Sequence, residues 1–274
     1  MEHNICIACK SKLKLLGKIG GFSILQCPKC LLGVTKGSEA HGQYNAYHRD
    51  EVYIAAEEQF KNIFEKRVNI LQKFKDSGSA LEVGSSTGLL LSLLEREGWR
   101  VQGIEPSKTA VQAALLRGVP TLNTTFEEAK LPVNFDAVVL NHVLEHIEDP
   151  LATLKKARKI LKKDGLILID VPNFGSISAR ARGVNWGYAA PNEHLWHFTK
   201  DALFLLLTKT GFVPISWEAR SGIWDYGNPG KEIWESFVSK KKRFFKNVLT
   251  FFPTFVITKL KMGTSLTVVA RKSK

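Results

Sequence analysis

Short apolar runs alternate with longer amphipathic segments along the chain from about residue 76 onward. The short runs predict β-strands, and the longer segments, whose apolar residues recur with helical spacing, predict helices. We predict strands at residues 80–84, 101–105, 135–141, 166–171, 213–217 and 265–270, and helices at residues 88–97, 106–118, 151–163 and 200–210. This order predicts an α/β fold with a doubly wound, mostly parallel sheet and crossover helices on both faces. Ligands of such folds bind at the carboxyl ends of the strands.

The helix boundaries rest on residues with defined capping roles. Asp149 and Pro150 provide an N-cap and a first-turn proline for the helix at residues 151–163. Thr199 provides the N-cap for the helix at residues 200–210, and Gly211 ends that helix.

Two further segments carry apolar residues at mostly helical spacing. Residues 51–75 predict a helix that covers the ligand side of the sheet, although simple packing on the core explains the same pattern. Residues 239–261 combine a basic run with phenylalanines, a pattern typical of a helix that lies in the interface of an anionic membrane, and Pro253 is expected to interrupt it. The alternative is a helix packed on the core or at a dimer interface.

The composition is that of a globular protein with an uneven charge. Of the 274 residues, 44% are hydrophobic and 24% are charged, which excludes wholesale disorder. The net charge of +13 comes from the ends: residues 1–37 hold six basic and one acidic residue, and residues 231–274 hold eleven and two. The centre is close to neutral. Basic ends favour anionic partners such as nucleic acid, anionic lipid or phosphorylated substrates.

The chain shows no targeting signal. Its first residues lack the apolar segment of a signal peptide, and no apolar run approaches the roughly 18–20 residues of a membrane span. We therefore expect a cytoplasmic protein, with peripheral contact to an anionic membrane through residues 239–261.

All four cysteines lie near the N-terminus in two pairs with the spacing C-x2-C-x17-C-x2-C: Cys6, Cys9, Cys27 and Cys30. Each pair can turn two thiolates toward one metal, so the spacing predicts a tetrahedral Zn²⁺ site in a small ribbon. The ribbon is too short for a core of its own, so the metal is expected to stabilise its fold. Two disulfides are the alternative. Four cysteine ligands leave no open position for water, which favours a structural role.

The first turn between strand and helix carries two glycines, Gly84 and Gly88, that let a ligand approach the backbone. Glu105 ends the next strand 21 residues after Gly84, where a carboxylate can bind both hydroxyls of a ribose. Ser86 stands where a dinucleotide fingerprint has its second glycine, and Glu82 beside the turn disfavours phosphate. The pattern favours a cationic nucleoside, such as a sulfonium with a free amino group, although a tight turn alone also explains the glycines.

Four segments resemble the successive motifs of class I S-adenosylmethionine-dependent methyltransferases: LEVGSSTG (residues 81–88), GIEPS (103–107), FDAVVLNHVLEHIEDP (135–150) and GLILIDVPN (165–173). The likeness runs from about residue 76 to residue 213 and returns at the last strand. The four-cysteine module, the YNAY segment (44–47) and PNEHLWHFT (191–199) resemble more narrowly the bacterial sugar C-methyltransferases and related small-molecule methyltransferases.

The resemblance implies a Rossmann-like seven-stranded sheet and a set of roles for individual residues. Glu82, Gly84, Ser86 and Gly88 are expected at the methionine end of S-adenosylmethionine, and Glu105 at its ribose. The other expected cofactor residues flank the adenine or lie near the sulfonium: Thr125, Phe126, Asn141 and His142. The domain organisation becomes a zinc ribbon at 1–37, a linker with a cofactor-covering helix at 38–75, and a methyltransferase domain at 76–274. A basic, phenylalanine-rich helical insertion at about 231–262 precedes its last strand.

Methyl transfer to a hydroxyl or a C–H acid needs an aligned acceptor and a base. Histidine is the usual base near neutral pH, and His146, His194 and His197 lie near predicted strand ends together with Glu193. We favour His194, in the loop with Glu193, and then His146. The alternative is that His194 and His197 pack against aromatic neighbours ahead of the helix at residues 200–210.

Three functions compete at this point. The first is methylation of a small molecule, expected to bear a sugar and to be nucleotide- or lipid-linked. The second is RNA methylation, in which the zinc module and the basic ends dock RNA; it predicts steeply salt-dependent binding. The third is a non-catalytic scaffold. No cysteine remains for attack on a pyrimidine, and Asn141-His142-Val143-Leu144 lacks the Pro-Pro-aromatic arrangement of amine methyltransferases that act on bases.

Overall fold

The computed structural model describes residues 4–37, 57–227, 229–230, 234 and 244–273. Its larger sheet has seven strands in the order β10-β11-β8-β7-β4-β5-β6. Their bounds are β4 Ser79–Val83, β5 Arg100–Ile104, β6 Thr121–Leu122, β7 Phe135–Asn141, β8 Leu161–Pro172, β10 Phe212–Arg220 and β11 Ser265–Lys272. Strand β11 pairs antiparallel with both β8 and β10, whereas the pairs from β8 through β6 are parallel. The predicted mostly parallel seven-stranded sheet is confirmed.

Helices cover both faces of this sheet because its strands are apolar on both sides. The main helices are α1 Glu57–Gln72, α2 Leu89–Arg96, α3 Lys108–Leu116, α4 Pro150–Ile160, α5 Ile177–Arg182, α6 Lys200–Lys209, α7 Ile223–Tyr226 and α8 Phe244–Lys259. Ala80 of β4 packs in the same core as α1 and α2, while Leu81 packs in the opposite core with α4 and α6. Successive residues of a strand point to opposite faces, so a buried strand needs a layer of helices on each side.

The order of the strands reverses beside β4. The chain adds β5 and then β6 on one side of β4, and afterwards returns to add β7 and β8 on the other side. Loops at the carboxyl ends of β4 and β7 therefore leave in opposite directions, and a crevice opens between them.

The predicted end of one helix and the predicted interruption of another are wrong. Helix α4 ends at Ile160 and not at residue 163, because Leu161 is already extended and pairs with Phe135 of β7. Helix α8 continues through Pro253, which was expected to interrupt it. The Thr254 hydroxyl donates to the carbonyl oxygens of Thr250 and Phe251, so side-chain bonds support the turn in which proline lacks an N–H.

The N-terminal module forms a second, antiparallel sheet that includes a strand from the main domain. Its order is β1-β2-β3-β9, with β1 Lys14–Ile19, β2 Phe22–Gln26, β3 Gly33–Lys36 and β9 Trp196–His197. Gly33 pairs with His197, and a Cβ at Gly33 would lie 2.8 Å from the Cβ of His197. The module is therefore joined to the segment 191–199 by a strand pair that only glycine permits.

Several sequence predictions fall outside the described residues. They are the linker at 38–56 with its YNAY segment and the basic run at 240–243. Among the residues that are described, no helix is both long enough and apolar enough to cross a bilayer.

Candidate active site

A cavity of about 580 Å³ opens at the carboxyl ends of β4, β5 and β7. Seven of the predicted cofactor residues line it: Gly84, Ser86, Glu105, Thr125, Phe126, Asn141 and His142. The volume falls in the usual range for a small-molecule or cofactor site. Glu82 and Gly88 lie outside the lining; Gly88 instead caps α2, where a Cβ would meet Val119 and Ala114.

The turn after β4 brings the backbone close to its neighbours. Gly84 has a φ of +67°, and a Cβ there would lie 2.6 Å from Cγ2 of Val143, so the position requires glycine for both conformation and space. Ser86, which replaces the middle glycine of the motif, adopts the left-handed region at φ +46°. The turn therefore keeps the backbone path expected of the glycine loop.

Two backbone N–H groups hold the carboxylate of Glu105 at the edge of the cavity. The N–H of Ser86 donates to Oε2 and the N–H of Ser107 donates to Oε1, both at 2.9 Å. Each carboxylate oxygen has a further lone pair, so the oriented group can still accept bonds from a ligand. This is the geometry needed to bind the two hydroxyls of a ribose.

Buried acceptors lie at the end of β4 and at the end of β7. Oε2 of Glu82 and Oδ1 of Asn141 are both buried without a hydrogen-bond partner in the described part of the chain. Burial, together with the charge of Glu105, raises the pKa of Glu82 well above its usual value. An amino group would supply the missing donor, and the positive charge of a sulfonium would favour the ionised carboxyl, so these residues fit a cationic ligand that carries both.

His142 and Glu145 form an ion pair after β7. His142 Nδ1 lies 3.1 Å from Oε1 of Glu145, whose side chain is fully buried, while the His142 ring is exposed at the cavity. Although the ring is 41% exposed, its surroundings remove part of its hydration, which opposes the charged imidazole; the hydrogen bond and the charge of Glu145 outweigh this and raise the pKa of His142 to about 9. His142 is therefore cationic at neutral pH and is not a proton acceptor there.

His146 and His194 meet at the rim of the cavity. Their rings contact edge to face with centroids 4.8 Å apart, and His146 lines the cavity. Burial lowers the pKa of His194 to about 4, so its ring is neutral near pH 7. Glu193 contributes its carbonyl oxygen, which lies 3.0 Å from Nδ1 of His146. The structure thus brings together the three residues predicted for catalysis.

His197 is not available as a base, which corrects the prediction that counted it among the candidates. Its side chain is 3% exposed, and its Nε2 lies 2.8 Å from Oγ1 of Thr35. Burial lowers its pKa to about 3. The same Thr35 hydroxyl donates to the carbonyl oxygen of His194 at 2.8 Å, so His197 and Thr35 fix the loop that carries His194.

The four cysteines form one cluster suited to a metal ion. No disulfide joins them, and their sulfur atoms lie close together, with Cys6 and Cys30 at 3.5 Å and Cys9 and Cys27 at 3.3 Å. A tetrahedral zinc with bonds of ~2.3 Å separates its sulfurs by about 3.8 Å, so a small expansion of this cluster accommodates Zn²⁺. The residues fit the predicted zinc.

Sequence reasoning missed two residues that organise this site. Glu145 stands between His142 and His146 in the sequence, and that spacing of a carboxylate among histidines is a signal that could have identified it. Thr35 carried no signal, because its partners His194 and His197 are about 160 positions away.

Comparison with known proteins agrees with this geometry. A family profile described as "Methyltransferase domain" matches residues 55–216. A ubiquinone biosynthesis O-methyltransferase of Cereibacter sphaeroides is 31% identical over 147 residues, which cover 49% of this chain and 60% of that protein. The match therefore spans less than two thirds of that relative's length.

Solved structures show the same fold. Phosphoethanolamine N-methyltransferase 2 of Haemonchus contortus, in complex with S-adenosylmethionine, superposes with a TM-score of 0.61 at 17% identity, covering 88% of this chain and 63% of that one. An S-adenosylmethionine-dependent methyltransferase of Thermotoga maritima gives a TM-score of 0.57 at 18% identity, covering 82% and 95%. The predicted class I methyltransferase fold is confirmed. Because the family profile matches more than half of this chain, the chain belongs to the methyltransferase domain family.

Proposed function

We propose that this protein is an S-adenosylmethionine-dependent methyltransferase that acts on an oxygen atom of a small molecule bearing a sugar. The observation that carries the proposal is the cavity in which Glu105, oriented by Ser86 and Ser107, faces the glycine turn at Gly84. A carboxylate held in this way beside a close backbone approach is suited to a nucleoside.

The lining residues divide the cavity into regions with separate tasks. Glu105 would bind the ribose, and Thr125 with Phe126 would flank the adenine. Asn141 and the turn at Gly84 would face the methionine end. Its amino group could donate to Oδ1 of Asn141, which is buried without a hydrogen-bond partner among the described residues. When bound, S-adenosylmethionine supplies a methyl group on a positively charged sulfur.

The acceptor would bind at the rim formed by His146 and His194. The neutral ring of His194 is available to a hydroxyl proton near pH 7, whereas His142 is already protonated. Similarity to an O-methyltransferase supports an oxygen acceptor. The likeness of residues 191–199 to sugar methyltransferases supports a nucleotide- or lipid-linked saccharide.

Helix α8 supports the proposal that the acceptor is reached at an anionic membrane. One side of α8 packs on Trp224 through Phe251 and Phe255, but Leu249 and Phe252 on the helix are 74% and 70% exposed. Exposed apolar residues beside a strongly basic segment suit a peripheral contact with acidic headgroups.

Sedimentation with phosphatidylserine vesicles tests this contact. The wild type should sediment with the vesicles, and the double variant Leu249→Ser with Phe252→Ser should lower the fraction of protein that sediments. The control Leu116→Ser, at a position 90% exposed on α3, should not.

Calorimetry tests the cofactor assignment. Wild-type protein should bind S-adenosylmethionine, and Glu105→Ala should weaken binding by more than ~10-fold, because charge-assisted bonds to the ribose contribute about 1.5–3 kcal/mol. Glu95→Ala removes an exposed carboxylate on α2 and should bind like the wild type. Equal affinity of Glu105→Ala and wild type, or no binding to either, would contradict the proposal.

A further inference from the structure

Glu145, His146 and His194 converge at the rim of the cavity, apart from the cysteine cluster. One ligand atom of each residue lies within 4.8 Å of the others. Glu145 and His146 follow each other after β7, and His194 comes from the loop after α5. Two imidazoles and one carboxylate from two segments of chain form a recognisable set of metal donors.

Backbone carbonyls determine which ring nitrogen of each histidine faces the cluster as a possible ligand. Nδ1 of His146 lies 3.0 Å from the carbonyl oxygen of Glu193, and Nδ1 of His194 lies 3.0 Å from that of Tyr188. A carbonyl oxygen only accepts, so both Nδ1 atoms are protonated, and Nε2 is the atom with which each neutral ring would bind a metal. Histidines that bind metals are commonly held in this way by a second partner, which fixes both tautomer and orientation.

Glu145 supplies a carboxylate oxygen that the protein leaves unsatisfied. Its side chain is fully buried, and its Oε1 binds His142 at 3.1 Å. Its Oε2 is also buried and has no hydrogen-bond partner among the described residues. A buried acceptor without a partner costs about 1–3 kcal/mol, so its retention needs a compensating ligand.

The two segments are tied together independently of the three side chains. The carbonyl oxygen of Glu145 accepts from the N–H groups of Leu195 and Trp196, at 2.8 and 3.1 Å. Thr35 holds the carbonyl oxygen of His194 from the other side. The donors are therefore held on a braced backbone, as a preorganised site requires.

We propose that Glu145, His146 and His194 bind a divalent transition-metal cation such as Zn²⁺, Co²⁺ or Fe²⁺. Imidazole ligands favour these ions over Mg²⁺ and Ca²⁺, which prefer oxygen. Three protein ligands leave at least one position open, as catalytic metal sites do.

The role assigned to this metal rests on the proposed function of the cavity. Glu145, His146 and His194 would hold the cation, which would make an acceptor hydroxyl beside it more acidic by stabilising the oxyanion. The hydroxyl proton would pass to solvent, the oxygen would bond to the methyl carbon of S-adenosylmethionine, and the bond from sulfur to that carbon would break, leaving S-adenosylhomocysteine. With the metal bound, His194 would act on the acceptor as a ligand and not as the proton acceptor described above, because its Nε2 cannot serve both roles.

Titration with CoCl2 tests the site on the full chain, without a histidine tag, after the four cysteines have been loaded with zinc. Cobalt bound to nitrogen and oxygen gives weak visible d–d bands, and cobalt bound to cysteine gives an intense sulfur charge-transfer band, so the spectrum separates the two sites. We expect one cobalt ion per chain without the sulfur band. Glu145→Gln and His194→Gln should each weaken binding by more than ~10-fold, the loss that even an outer-shell change produces. Glu95→Gln removes an exposed carboxylate on α2 and should bind cobalt as the wild type does.

Absence of the d–d bands, a sulfur band alone, or bands that persist in both ligand variants would overturn the proposal. Circular dichroism and S-adenosylmethionine calorimetry on His194→Gln identify a folded variant with an intact cofactor site. Cobalt binding without cofactor binding would overturn the proposed function and leave the metal site standing. Cofactor binding without cobalt binding would overturn the metal site and leave the proposed function standing.

Discussion

Thr199 donates its hydroxyl to the carbonyl oxygen of Cys30 at 2.9 Å, and the Thr199 hydroxyl oxygen accepts the N–H of Ala202 at the start of α6. A residue that caps a helix of the methyltransferase domain thus also holds the cysteine module. The bond is buried and joins positions 169 apart in the chain. Together with the pairing of β3 and β9, it makes the cysteine cluster and the loop of His194 one structural unit.

Thr35→Val should uncouple this unit with little change in side-chain volume. Valine cannot donate to the carbonyl oxygen of His194 and leaves Nε2 of His197 without its buried partner, so we expect a loss of about 1–3 kcal/mol in the free energy of unfolding. Turnover of the acceptor should fall while S-adenosylmethionine affinity is kept. Urea unfolding and calorimetry measure the two effects. The exposed Thr208→Val should change stability by less than ~0.5 kcal/mol, and an equal effect of both variants would refute the coupling.

Removal of zinc should increase local unfolding in the cysteine module and in the loop that carries His194, and should leave the strands of the cofactor cavity unchanged. Chelation takes away the bonds that fold the small module, and β9 then loses its partner β3. Amide hydrogen exchange, followed by mass spectrometry, should accelerate in residues 14–36 and 194–199 but not in β4 or β5. Restoration of zinc should restore protection. Uniform exchange rates with and without chelator would show that the metal does not support this unit.

Gly84→Ala should damage the turn after β4 for two reasons. The left-handed backbone at Gly84 costs an L-residue roughly 1–2 kcal/mol, and the new Cβ would meet Val143 at 2.6 Å. We expect a loss of about 2–5 kcal/mol in stability, since overpacking adds about 1–3 kcal/mol to the backbone cost, and weaker binding of S-adenosylmethionine. The double variant with Val143→Ala removes the steric part alone. Thermal unfolding compares the loss caused by Gly84→Ala in the wild type with the loss it causes in Val143→Ala. Equal losses in the two backgrounds would mean that the contact with Val143 contributes nothing.

Arg67→Met should be strongly destabilising. The Arg67 guanidinium on α1 is buried, pairs with Asp170 of β8, and binds Asp225 and Ser265 at 3.0 Å each. Burial opposes its charge, but the two carboxylates outweigh that and raise its pKa above the usual value. Its removal leaves the buried charge of Asp170 without its counter-ion, although the hydroxyls of Ser265 and Thr267 still donate to it, and breaking a buried pair typically costs about 3–5 kcal/mol. Lys61→Met, at an exposed pair on the same helix, should cost less than ~0.5 kcal/mol. Chemical unfolding measures the free energy of unfolding of both variants. Similar losses for Arg67→Met and Lys61→Met would show that the buried ion pair of Arg67 does not stabilise the fold more than an exposed pair does.

Acidification should destabilise the fold through Asp136. Burial raises the pKa of this carboxyl, but bonds from Lys162 and from the N–H and hydroxyl of Ser79 outweigh it and hold the pKa well below its usual range. Because the folded pKa lies below the unfolded value of ~3.9, this stabilisation is present above pH ~4 and is lost as the pH falls below it. Melting temperatures between pH 7 and pH 3 should fall less for Asp136→Asn than for wild type. Parallel curves for the two proteins would contradict the assignment, and Glu95→Gln should follow the wild type.

The sequence predicted the elements whose signals are local. Caps at Asp149 and Thr199 appear as predicted, with side-chain bonds to Ala152 and Ala202. The glycine turn and Glu105 were predictable as well, because a ligand-binding turn and a strand-ending carboxylate occupy fixed positions along one βα unit. The end of α4 was not, because pairing of Leu161 with Phe135 outweighs the helical preference of residues 161–163.

By itself, the sequence determined the alternation of strands and helices, the order of the cofactor motifs and the presence of four thiolates at metal-binding spacing. Only the tertiary structure decided which histidine is structural and which contacts His146 of the cavity wall, since His194 and His197 differ by three positions and share the same local pattern. Thr35 buries and pairs His197, while Glu145 and His146 meet His194. The roles of these residues depend on burial and on partners that only folding brings together.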